Sequence, residues 1–152
     1  MEATLLSGSH YLCALRDDED LPALDSMLKD VCRTACRRVD RFVRLALLGS
    51  AHCVQGHELH SDCGVYIGSA HGPLASNICV QQQMLCQHEL PKPFNFINTL
   101  GGMAGFHVVA NLQLGGPSLF ISRYVQSLQA VLEMALVDLA VGAVDQALVG
   151  VV

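Results

Sequence analysis

The sequence has no tryptophan, and aromatic side chains make up only 5% of its 152 residues. Single-stranded nucleic acid is held by base stacking on such rings in a basic groove, and duplexes by many cationic phosphate contacts. A net charge of −5 and a pI near 5.7 supply no general attraction to phosphate, so the reading excludes nucleic acid. Charge of either sign is scarce: 15% of residues against the usual quarter or so. The shortage is local, because residues 93–152 carry only Arg123, Glu133, Asp138 and Asp145. So apolar a stretch must form a core or meet another protein. Conversely, six of the nine basic residues fall between Lys29 and Arg44.

Other absences narrow the class further. Residues 1–15 have no basic leader and include Glu2 and His10, so they do not read as a signal peptide. The most apolar run, 125–142, is interrupted by Gln126, Gln129, Glu133 and Asp138, which are costly at bilayer depth; it reads as a buried helix and not as a membrane span. Seven cysteines without a signal or a tight framework suggest reduced thiols and a cytoplasmic protein. Internal repeats are lacking, and 152 residues make one domain, 1–152.

What is present alternates between strand and helix patterns. Strands are expected over 3–15, 64–68, 119–121 and 147–152, with helices over 37–53, 76–88, 98–114 and 125–141. The run 17–25 with Pro22 reads as an acidic loop, 56–62 as a polar loop, and Gly72, Pro73, Pro91 and Pro93 as breaks. Such alternation argues for a layered α/β fold.

From about Arg37 onward the residues carry a resemblance. Arg38-Val39-Asp40-Arg41-Phe42 with Leu45-Ala46-Leu47, then Gly64-Val65-Tyr66-Ile67-Gly68-Ser69, follow in order. Next come Pro93-Phe94, Asn98-Thr99-Leu100-Gly101-Gly102-Met103-Ala104-Gly105, Gly116-Pro117-Ser118, and the stretch from Asp145 to Gly150. Together they resemble the N-terminal half of a β-ketoacyl synthase of the thiolase-like superfamily. The resemblance implies one half of a layered αβαβα sandwich.

The resemblance also implies a departure. Counted from Gly116-Pro117-Ser118, the family's nucleophilic cysteine falls on Val125, and no cysteine follows Cys86. An isopropyl group cannot accept an acyl chain, whereas the family needs a thiolate at a helix N-terminus. The family's decarboxylating histidines and lysine belong to a C-terminal half that this sequence does not contain. The expectation is therefore an inert subunit resembling a chain-length factor, without a cofactor. It would form a heterodimer with a full-length β-ketoacyl synthase in a type II polyketide or fatty-acid system, such as aryl polyene biosynthesis. Leu119, Phe120, Ile121, Ser122 and Arg123 would then lie at the partner interface, and Phe96, Asn95 and His71 would line the acyl tunnel. The plainer alternative makes Phe94 and Phe96 ordinary core.

Three further readings stay open. His52, Cys53, His57, His60 and Cys63 are donors dense enough for a zinc site or a metal-dependent enzyme, although they match neither paired CxxC nor HExxH. Arg37, Arg38, Arg41 and Arg44 could steer an acidic acyl carrier protein or simply form a solvated face. Finally, the chain could be a piece of a longer synthase.

Overall fold

The computed structural model describes residues 3–10, 21–33 and 38–152. Its centre is β1 (Gly64–Ser69), buried along its whole length. Strands β2 (Ser118–Ser122) and β3 (Ala147–Val151) pair with it on either side, both parallel, in the order β2-β1-β3. The chain moves one way from β1 to β2 and back across β1 to β3. Right-handed crossovers then require the two connections to lie on opposite faces.

The helices are distributed accordingly. One face carries α1 (Leu21–Val31), α2 (Arg41–Cys53) and α5 (Met103–Leu112), whose Leu24, Leu28, Phe42, Val43, Leu47, Ala104 and Val108 pack with Val65 and Ile67 of β1. The other carries α6 (Ser127–Ala140), whose Val131 and Ala135 pack on Tyr66. Three layers result, helix, sheet, helix. The second sheet of an αβαβα sandwich has no counterpart among the described residues, and the far face of α6, with Leu128, Leu132, Leu136 and Val137, is exposed. Buried on the near side, the Tyr66 hydroxyl donates to Asp138 Oδ2 at 2.6 Å, tying β1 to α6. Burial, reinforced by the Asp138 charge, holds that phenol far above its ordinary range, so it stays protonated.

Local chemistry sets the element ends. Asp40 caps α2 by accepting from the Phe42 amide at 2.7 Å, and its second carboxylate oxygen takes the Ser76 hydroxyl. Buried Asn111 of α5 accepts from the Arg33 amide at 2.8 Å, just past the end of α1. Between β1 and β2 lie α3 (Leu74–Leu85) and the single turn α4 (Pro93–Ile97).

Several expectations are corrected here. Pro22 was expected in an acidic loop and Pro93 as a break, yet each stands in the first turn of a helix, where a missing N–H costs no bond. The helix expected over 98–114 starts late: residues 98–102, with Gly101 and Gly102, stay out of helix, and α5 runs only from Met103 to Leu112. Residues 3–10 form no strand; the Ser7 and Ser9 hydroxyls instead donate to the Cys53 and Gly49 carbonyls of α2, each at 2.7 Å. The rest of that expected strand, 11–15, lies outside the described residues. The expected helix over 125–141 begins two residues later, after a 3-10 turn at Tyr124–Gln126.

Candidate functional site

Where successive crossovers leave a parallel sheet on opposite faces, a crevice opens at the carboxyl ends of the strands. In this chain those ends are Ser69 to Gly72 after β1 and Ser122 to Ser127 after β2. Two of the singled-out residues, His71 and Val125, lie on these turns. The His71 and Tyr124 rings stand edge to face with centroids 5.5 Å apart, and Val125 follows Tyr124.

The turn that presents Val125 is built from behind. Ser127 is buried, and its Oγ lies 2.8 Å from the Ser69 carbonyl, from the Tyr124 carbonyl and from the Arg123 amide, which donates to it. Gly68 makes this approach feasible, since a Cβ there would sit 3.0 Å from the Ser127 carbonyl oxygen. Tyr124 takes φ 48°, a left-handed conformation that non-glycine residues adopt only when the surroundings impose it. The result is a sharp strand-to-helix elbow with Val125 at its tip, 97% exposed. The side chain at the position where the resemblance expected the nucleophile thus projects into solvent. It stands free at the head of α6, where the Gln126 amide donates to the Arg123 carbonyl and the Ser127 amide to the Tyr124 carbonyl.

The remaining site residues are placed elsewhere. Asn95 and Phe96 lie on α4; Asn95 Nδ2 approaches Gln83 Oε1 of α3 at 3.5 Å, and Phe96 is 55% exposed. Phe94, 56% exposed, lies under the Arg38 guanidinium at 5.6 Å. The reading of these two rings as core is overturned. On β2 the side chains divide between the faces: Phe120 packs edge-on against Phe42 with centroids 5.8 Å apart, while Leu119 and Ile121 pack toward α6. Any interface on β2 therefore uses its backbone edge. The Val65 amide donates to the Pro117 carbonyl at 2.8 Å. Alternation then turns the backbone groups of Ser118, Phe120 and Ser122 away from β1. Ser122 and Arg123 are exposed.

The His/Cys run does not converge. Cys63 is fully buried with its thiol toward the Gly64 carbonyl at 3.6 Å, and burial pushes its pKa up. Cys53 instead faces Ser7. Among the described residues no group of three or more His, Cys, Asp or Glu could hold a metal ion. The metal reading thus loses its site, with Cys63 buried against the Gly64 carbonyl and Cys53 turned to Ser7. Of the basic cluster, Arg37 lies outside the described residues, and Arg44 pairs with Asp25 at 2.9 Å. Among the described residues no helix is long and apolar enough to cross a membrane.

The sequence missed the elbow's geometry. Only the order Ser122, Tyr124, Ser127 around a strand-to-helix change hinted at it. Neither a protein-family model nor a curated protein matches this chain. A solved structure does: a chain of the ketosynthase ApeO in complex with its chain length factor ApeC, from Xenorhabdus doucetiae, at TM-score 0.63 and 21% identity. The likeness covers 84% of this chain and 58% of that one. The three-layer α/β arrangement described above is thus the fold this chain shares with part of a ketosynthase complex.

Proposed function

We propose that this chain is a non-catalytic subunit similar to a chain-length factor. It pairs with an active β-ketoacyl synthase of a type II polyketide or fatty-acid system, such as one making aryl polyenes, and shapes the partner's acyl tunnel. The observation that carries the reading is the elbow. Its backbone offers what a thioester-forming thiol needs, a strained turn at the head of a helix, and the side chain in that place is valine. The shared fold with a ketosynthase and chain-length-factor complex supports it. So do the outward backbone edge of β2 and the exposed outer face of α6, which ask for protein cover.

The test is co-expression with candidate synthases and exposure of the purified assembly to acyl carrier protein thioesters. The expected outcome is a stable complex in which mass spectrometry finds acyl groups on the synthase alone. An acyl adduct on any cysteine of this chain, formed at the rate of turnover, would overturn the reading. Phe96→Ala separates tunnel from scaffold: longer products from an intact complex are expected, and unchanged products would place the tunnel wall elsewhere.

A further inference from the structure

A second unpaired edge lies on β3. The Gly64 amide donates to the Gln146 carbonyl at 2.9 Å, and the Val152 amide to the Gly68 carbonyl at 3.0 Å. Both backbone groups of a residue in a parallel ladder point to the same side, and successive residues alternate. Leu148 and Gly150 therefore bond β1, while Ala147, Val149 and Val151 turn their N–H and C=O groups outward, with no partner among the described residues. Along this edge runs a groove of about 630 Å³. Its floor is apolar, from Leu45, Ala46, Val65, Ile67 and Val108. Its far wall is formed by Leu5 and by residues 7–10, from Ser7 to His10.

That segment has the properties of a displaced strand. It has no ladder partner, two serine hydroxyls moor it to α2, and Leu5 and Leu6 are 88% and 66% exposed. Consecutive residues of a strand face opposite sides of a sheet. On the β3 edge one leucine would reach the α2 side and the other the open flank of α6, as Val65 and Tyr66 do in β1. Residues 3–10 extended can span roughly 26 Å, more than the five residues of β3 require. We propose that residues 3–10 are a strap that closes onto the β3 edge as a fourth strand, filling the groove and satisfying Ala147, Val149 and Val151. This stands independently of the functional reading.

Hydrogen exchange at single-residue resolution tests it, on the full chain in the assembly in which it purifies. The Val149 and Val151 amides should exchange at least about ten-fold more slowly than free amides, with Leu148 and Gly150 as bonded references. In the double variant Leu5→Ser/Leu6→Ser that protection should vanish while Leu148 and Gly150 keep theirs. Free exchange at Val149 and Val151 in the unaltered chain overturns the proposal. Protection that survives the double variant overturns it too, assigning the edge to another chain. A second variant, Val149→Pro, deletes an outward N–H and leaves the β1 ladder intact. It should speed proteolytic cleavage within 3–10 by about ten-fold relative to the unaltered chain, and an unchanged rate counts against the strap.

Discussion

At the scale of single residues, Val125 and His107 make opposite kinds of prediction. A thiol placed by Val125→Cys would stand fully exposed at the N-terminal end of α6, where the helix dipole favours a thiolate. It should alkylate faster than the exposed Cys79 and Cys86 at pH 7, measured with iodoacetamide and peptide mapping. It should not condense acyl units, because the imidazole of His71 near the turn is already packed on Tyr124 and not poised for proton transfer. His107, half-buried on α5, is held below its ordinary pKa by desolvation. The unfolded chain therefore takes up the proton first as pH falls below about 6.5. Stability present at neutral pH declines on acidification, and His107→Gln should flatten that slope in melting temperatures taken between pH 7.5 and 5 while leaving the neutral value little changed.

At the scale of elements, close approaches decide which substitutions the fold tolerates. A Cβ at Gly116 would run into the main-chain carbonyls of Asp62 and Cys63, which cannot rotate away. Gly116→Ala should cost about 2–3 kcal/mol in chemical denaturation, whereas Gly102→Ala, with open space around it, should cost little. Periodicity made β1, α2, α6 and β3 legible, since Val65 to Ile67 and Phe42 to Leu48 announce burial directly. It failed where tertiary contacts choose the conformation. Pro93 was read as a breaker although it opens α4, and Leu5-Leu6 was read as a strand although α2 offers carbonyls to the neighbouring serines. At the candidate site, His71 and Val125 could be singled out in the sequence, but the buried Ser127 that shapes their turn could not, because its role depends on β1 lying directly behind it.

At the scale of the molecule, exposed apolar surface outweighs any other feature. Leu128, Leu132 and Leu136 line up along α6 with no cover among the described residues. Burying the exposed half of each such side chain is worth about 1 kcal/mol, in sum a large fraction of a domain's stability. The unaltered chain alone should therefore self-associate at micromolar concentration in sedimentation velocity. Replacing all three by glutamine should yield a monodisperse monomer that no longer co-purifies with a synthase; loss of solubility instead would mean that this face is part of the chain's own core. The Ser127 lock adds a practical consequence for such assemblies. Because the elbow is pinned from inside, the side chain at 125 bears none of the turn's weight, and the position works as a mounting point. A spin label or fluorophore carried there would ride on a rigid stem, so its spectrum would report the approach of a neighbouring molecule with little slack from local motion.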